Sequence, residues 1–292
     1  MASLKEVKGR ITTVTNTRKI TSAMKMVASA KLHKAQAAIG NMLPYERRLH
    51  GLLSNLLGSG DVLHWSTPRE VKRIALVVCS SNSSLCGGFN TNVIKHATQW
   101  LDEHRALGTE NILIYPVGKK VADALVKQGY SVQGDFQHMA DKPSFAEASA
   151  LAQQLMDMFA RGEVDRVELL YNHFKNTASQ ILTKEVYLPF ATSHSAEHGD
   201  EESRKHPEET DYILEPSREE LLVMLLPKVL RLKLYTVLLD SNASEHAART
   251  MAMQIATDNA DDLLQELTLM YNKTRQQAIT SELLDIVGGS MA

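Results

Sequence analysis

From Lys228 to Val287 the chain contains neither proline nor glycine, and small or apolar residues recur along it three or four apart at Ala248, Ala252, Ile255, Asn259, Leu263, Leu267 and Met270. That spacing predicts a helix with a narrow seam for one partner helix. At ~1.5 Å per residue it would reach roughly 85 to 90 Å, too long to be buried whole in one domain. Its last turns, Ala278, Ile279, Leu283, Leu284, Ile286 and Val287, are apolar over a wide arc, and Gly288 and Gly289 are expected to stop it. Such a tip calls for an apolar sleeve, and no other stretch of the sequence is an obvious one. Residues 1 to 57 predict a second long helix. Ser3 followed by Glu6 is a capping box, and Leu4, Val7, Ile11 and Val14 repeat at heptad spacing, continued by Met24, Ala28, Leu32, Ala35, Ile39 and Met42 until Gly58 and Gly60.

The middle of the chain changes rhythm. Val71 to Cys79 predicts a buried strand, and a Ser/Gly loop to Gly88 leads into a helix from about Asn90 to Leu107. A strand over Asn111 to Val117 and a helix to Lys127 follow. Pro143, Ser144 and Glu147 open a further helix, capped by Ser144 and ending near Gly162. Val164 to Tyr171 and Ser179 to Leu188, joined by a turn at Asn176, read as an antiparallel pair at a sheet edge. The expected fold is therefore α/β: a three-layer, mostly parallel sheet domain plus a long antiparallel coiled coil of the N- and C-terminal helices. The expected units are a coiled-coil helix over 1–60, a Rossmann-like α/β domain over 61–216 and a coiled-coil helix with its tip over 217–292. His194 to Thr210 reads as a charged insertion, and Ser217 with Glu220 caps the return to helix before Pro227.

Charge supports the pairing. Residues 1–50 carry ten basic and two acidic side chains, net +8, whereas residues 244–292 carry three basic and seven acidic, net −4. Complementary flanks and Ala-rich seams suit the two helices to each other. A transit peptide is the rival reading of the basic start, but the heptads continue past residue 40. A membrane-surface helix is another, but its apolar face holds mostly Ala and Thr with no Trp or Phe anchor. Overall, 292 residues with 32 basic against 34 acidic give a net charge of −2, which argues for two structural units and against nucleic acid. No run of eighteen apolar residues occurs and the start lacks a secretory pattern, so a soluble, intracellular chain is expected. Cys79 and Cys86 fit no zinc or redox spacing and are read as reduced thiols.

Candidate chemistry is sparse. The loop SSNSSLCGGFN sits where dinucleotide folds place their glycines, but lacks GxGxxG, and no GxxxxGK[ST] occurs; VGKK at Gly118 reads as a helix start. His194, His198 and His206 match no metal spacing. No catalytic, cofactor or metal site is assigned.

Three strings carry a resemblance: GRITTVTNTRKITSAMKMVASAKLHKAQ near the start, LCGGFN in the middle loop, and SEHAARTMAMQIATDNADDLLQELTLMYNKTRQQAITSELLDIVGG at the end. They resemble the gamma subunit of F-type ATP synthases, and the match spans most of the chain. The resemblance implies a non-catalytic central shaft whose paired terminal helices turn inside a ring of three alpha and three beta subunits. It also implies that the α/β domain sits near the epsilon subunit and the c-subunit ring, with proton or sodium flow driving rotation. The expected location is peripheral, on the cytoplasmic face of the bacterial inner membrane. By motif match, Arg275, Gln276 and Thr280 fall where family members contact a beta-subunit loop. Met24 and Arg249 fall at the level of the beta lever segment, and Cys86 lies in the loop that meets it. Where the family has Asp-Arg-Gly before Leu-Cys-Gly, this chain has Asn82, Ser83 and Ser84, so an ion pair is not expected there. The 194–210 stretch has no cysteine, so the thiol switch of chloroplast relatives is absent. Two other classes remain open: a nucleotide-binding α/β protein with helical arms, and a standalone coiled-coil scaffold.

Overall fold

The computed structural model describes residues 3–56, 65, 67–190, 214, 215 and 217–290, so Gly58, Gly60 and the 194–210 insertion lie outside the described residues. Two helices dominate: α1 (Leu4–Leu56, 53 residues) and α6 (Arg218–Ser290, 73 residues). Between them lie β1 (Ile74–Cys79), α2 (Phe89–Glu103), β2 (Ile112–Val117), α3 (Lys119–Lys127), α4 (Gln137–Asp141), α5 (Phe145–Ala160), β3 (Arg166–Phe174) and β4 (Gln180–Leu188).

The strands order as β2-β1-β3-β4. β1 pairs parallel with both neighbours and β3 antiparallel with β4, a mixed sheet with the antiparallel strand at its edge. Alternation along β1 explains the three layers, because successive side chains leave opposite faces. Ile74, Leu76 and Val78 pack with Val93, Ala97, Trp100 and Leu101 of α2 and Val121 and Leu125 of α3. Ala75, Val77 and Cys79 pack on the other face with Leu151, Leu155 and Phe159 of α5, with Leu222, Leu226 and Leu230 of α6, and with Leu49, Leu53 and Leu56 of α1. Both long helices are thus rooted in the core of the sheet domain. Each large side chain buried there contributes roughly 1.5 to 3 kcal/mol, so this base and not the coil holds most of the stability. One charge inside it is compensated: the buried Glu168 accepts from Trp100 Nε1 and pairs with Arg166 Nε, each at 2.7 Å.

The caps form as the sequence predicts at two of three helix starts. Glu6 N donates to Ser3 Oγ and Glu220 N to Ser217 Oγ, both at 3.2 Å. Ser144 occupies the N-cap of α5, but its hydroxyl makes no cap bond. The turn at Asn176 is closed by its Oδ1, which accepts from Ala178 N and Ser179 N. VGKK does start a helix: Gly118 has φ 105 and a Cβ there would lie 2.2 Å from the Ser80 carbonyl, so only glycine fits.

Several expectations are corrected. The α2 helix ends at Glu103, with a 3₁₀ turn over Arg105–Leu107, and the short α4 was not foreseen. The helix α6 runs through Pro227 as the expected 217–292 unit requires, although an interior proline costs about 3 kcal/mol. Burial of Leu222, Leu226, Val229 and Leu230 on either side offsets that cost. At the far end α6 continues past Gly288 and Gly289 to Ser290.

The seam of α1 follows the expected positions: Val7, Ala28, Leu32 and Ala35 are buried and Ile11, Val14, Met24, Ile39 and Met42 half-buried. The seam of α6 does so only in part: of the expected positions Leu267 is buried and Ala248 and Ala252 are half-buried. Met253, Ala260 and Leu267 are buried with Thr257 and Leu264 half-buried, whereas Ile255, Asn259, Leu263 and Met270 are exposed. The narrow α1 stripe of Ala and Thr matches small partners such as Thr257 and Ala260, and Ile255, Leu263 and Met270 of α6 are turned outward.

Candidate functional site

The coil is the first part of the site. Arg18 Nη1 meets Asp261 Oδ1 at 2.7 Å, Thr21 Oγ1 meets Thr257 Oγ1 at 2.9 Å and Lys25 Nζ donates to Gln254 Oε1 at 2.7 Å. Lower down, Leu32 and Ala35 pack on Ala243 and Ala247. As α1 climbs, α6 descends in step: an antiparallel register. The Arg18–Asp261 pair is nearly half exposed on both sides, so it contributes only about 0 to 1 kcal/mol and serves register more than strength.

At that register Leu4 lies level with about Arg275, and the rest of α6, roughly 20 Å of helix, extends beyond the start of α1 as described. On this end Ile279, Leu283, Leu284 and Ile286 are 49 to 67% exposed. Met26, Val27 and Ile20 of α1 and Met251, Ile255, Leu263 and Leu269 of α6 are also exposed. An apolar surface this extensive marks an interaction site. Arg275, Gln276 and Thr280 are exposed on the same end, and Met24 is half-buried in the α1 seam.

The second part is the loop between β1 and α2, which closes on itself. Asn90 Oδ1 accepts from the Ser81 amide and hydroxyl, both at 3.0 Å, and Asn90 Nδ2 contacts Cys86 Sγ at 3.1 Å. Asn82 Nδ2 donates to Asp141 Oδ2 and the Gln137 carbonyl, and its Oδ1 accepts from Lys119 N. The Cys86 thiol is 2% exposed and therefore structural, while Leu85 beside it is 58% exposed at φ 69. Cys79, free and buried at the end of β1, has its thiol pushed up to about 12 by burial. The polar side chains of Ser81, Asn82 and Asn90 are thus spent on the loop and on Gln137, Asp141 and Lys119.

Arg249 links the two parts. Its guanidinium donates to Glu245 Oε1 at 2.7 Å, to Ser83 Oγ at 2.9 Å and to the Ser84 carbonyl. Sequence reasoning placed Arg249 and the loop at one level but missed that they bind each other. The i, i+4 spacing of Glu245 and Arg249 was the available signal. Burial raises the Glu245 carboxyl, against the opposing hydrogen bond from Arg249. His246 beside it is buried, its Nδ1 has no hydrogen-bond partner among the described residues, and burial lowers it to about 4. Among the described residues no group of three or more His, Cys, Asp or Glu is placed to hold a metal ion, and no helix is long and apolar enough to cross a membrane.

A two-helix shaft with an exposed apolar end, rooted in an α/β base, defines the class: an axle-like subunit. A family model described as ATP synthase matches residues 3–292. The chain is 65% identical to the ATP synthase gamma chain of Phocaeicola vulgatus over the whole of both chains, and 58% identical to that of Bacteroides thetaiotaomicron, again over both whole chains. It is 45% identical to the ATP synthase gamma chain of Flavobacterium johnsoniae, over all of this chain and 99% of the relative. The fold is that of a chain in the Euglena gracilis mitochondrial ATP synthase, with TM-score 0.64 and 21% identity over 99% of this chain and 93% of the other. A chain of the Tetrahymena thermophila mitochondrial ATP synthase central stalk gives TM-score 0.56 and 23% identity over 81% of this chain and 99% of the other. The chain belongs to the ATP synthase gamma chain family, the rotor subunit of the F-type central stalk.

Proposed function

We propose that the chain is a non-catalytic axle that couples ion flow through a membrane sector to ATP synthesis or hydrolysis in a ring of alpha and beta subunits. The α6 end and the upper coil stand inside that ring, and the α/β base stands below it near an epsilon subunit and the c-subunit ring. In this reading the chain is peripheral on the cytoplasmic face of the bacterial inner membrane. The observation that carries the reading is the exposed apolar end of α6, which extends past the start of α1 as described and is suited to an apolar sleeve. Burial of that surface would contribute about 25 cal/mol per Å² on assembly, gross of the cost of association. Arg275, Gln276 and Thr280 are proposed to meet a beta-subunit loop, and Met24 and Arg249 to lie level with the beta lever segment. At the β1–α2 loop we assign the partner contact to the exposed Ser83, Ser84 and Leu85 and give the buried Cys86 a supporting role. Co-expression with alpha and beta subunits from a bacterial relative tests this: a stable complex of one such chain with three of each, active as an ATPase, is expected. A stable homodimer that ignores alpha and beta chains would overturn it, as would saturable binding of ATP or NAD to the chain alone.

A further inference from the structure

The β1–α2 loop is fastened at both ends. On one side Asn82 ties it to the α/β base through Asp141 Oδ2 and the Gln137 carbonyl, each at 2.8 Å, and through Lys119 N at 2.9 Å. On the other side Arg249 ties it to the shaft through Ser83 Oγ and the Ser84 carbonyl while holding Glu245 on its own helix. The Arg249 side chain is 11% exposed and its bond to Glu245 is shielded, while Ser83 and Ser84 meet the guanidinium from the exposed side of the loop. Gly87, at φ 57, lets the same loop lie against α6, where a Cβ would stand 3.9 Å from that of Ala252.

We propose that Arg249 is an internal strut: a positioning residue that locks the angle between the shaft and the α/β base by clamping the Asn82–Leu85 loop to α6. A guanidinium suits the task because its rigid fork serves three acceptors in one plane, which an ammonium on a flexible stem does not. Neutral residues at 83 and 84 suit it as well, since a cation at either would face the guanidinium at close range. The strut is a property of this chain alone. Its use in passing torque from base to shaft rests on the axle reading.

The experiment separates the two. Spin labels at Leu85→Cys on the loop and Lys34→Cys on α1, both exposed positions, report the loop-to-coil distance in the complete ATPase complex. The native thiols Cys79 and Cys86 are buried and so label slowly. With Arg249 in place a single narrow distance distribution is expected. Arg249→Ala and, independently, Ser83→Arg are each expected to broaden it about twofold or more, with Arg249→Lys in between. An unchanged distribution in both Arg249→Ala and Ser83→Arg overturns the strut, whatever happens to activity. Ion pumping per ATP hydrolysed, measured on the same complexes, is the separate readout of torque. Broadening without loss of pumping keeps the strut and removes its role in torque. A complex that does not assemble even with Arg249 present counts against the axle reading, and the same distance measurement on the free full-length chain then decides the strut.

Discussion

Arg249 and His246 stand within one turn of α6 and put opposite demands on it. Arg249 compensates Glu245, which is only 5% exposed; without the guanidinium that carboxylate is buried with no hydrogen-bonded cation and keeps only the weaker field of Lys31. Breaking a buried pair from one side costs about 3 to 5 kcal/mol. Arg249→Ala is therefore expected to lower the unfolding free energy of the free chain by about 3 kcal/mol in urea melts, and a loss under ~0.5 kcal/mol would contradict the burial described. His246 is held at about 4 by burial first and then by Lys31 and Arg249, with Asp141 opposing them. Unfolded, it takes up its proton near 6.5, so between about 6.5 and 4 the unfolded chain binds more protons and stability falls as pH drops. His173, raised by its hydrogen bond to Asp240, gives a contribution that is complete below 6.5 and lost only as pH rises through its folded value. Glu245 is raised by burial, so its penalty is relieved as pH falls, opposite in sign to His246. Melting temperatures of His246→Gln at pH 7, 6 and 5 are expected to fall less steeply than those of the native chain; equal slopes would sink the assignment. At this scale the sequence was least informative. The positions of Cys86 and Arg249 could be named, but their burial depends on a loop and a helix meeting in space.

Among the elements, the long helices were the most legible, because periodicity over many turns averages out local exceptions. The seam of α1 was read correctly for that reason. The seam of α6 was read only in part, at Ala248, Ala252 and Leu267, because small and apolar residues occupy more than one of its faces. Nothing local distinguishes the stripe through Ile255 and Leu263, which is exposed, from the one through Met253, Ala260 and Leu267, which is buried. The partner decides: a stripe of Ala and Thr on α1 accepts Thr257 and Ala260 at close range. The terminal glycines misled, since α6 runs on to Ser290, whereas the interior Pro227, with a local propensity cost of about 3 kcal/mol, is outweighed because the helix is buried on both sides of it. The pairing itself is testable. Thr21→Cys with Thr257→Cys, whose native hydroxyls are 2.9 Å apart, is expected to cross-link rapidly under mild oxidation. Thr21→Cys with Thr268→Cys, about three turns away along α6, is expected not to cross-link. Equal yields would contradict a single antiparallel register.

For the whole molecule, the division of labour follows from where apolar surface is buried and where it is left. The sheet domain buries Trp100, Phe159 and a dense set of aliphatic side chains, while the coil buries mainly alanine and a few larger residues on one narrow line. The base therefore anchors the shaft, and the shaft leaves its remaining faces exposed. This architecture was legible in outline from the sequence, since alternating strands and helices flanked by two proline-poor periodic stretches admit few arrangements. How deeply both helices are rooted in the base was not, because Leu49, Leu53 and Leu56 meet Leu222, Leu226 and Leu230 only after the chain has returned on itself.

The central claim is that the end of α6 works inside a partner and not within this chain. Arg275 and Gln276 lie exposed where α1 gives out, and substitutions at such positions usually stay within about 0.5 kcal/mol of neutral. Inside a ring they would form desolvated polar contacts, where truncation costs roughly 2 to 5 kcal/mol. The decisive measurement pairs two quantities on one double variant, Arg275→Ala with Gln276→Ala: the melting temperature of the free chain and the ATPase rate of the assembled complex. The account predicts a melting temperature within about 2 °C of the native value and a turnover reduced about tenfold or more. A free chain that melts far lower, or a complex that turns over at the native rate, would contradict it.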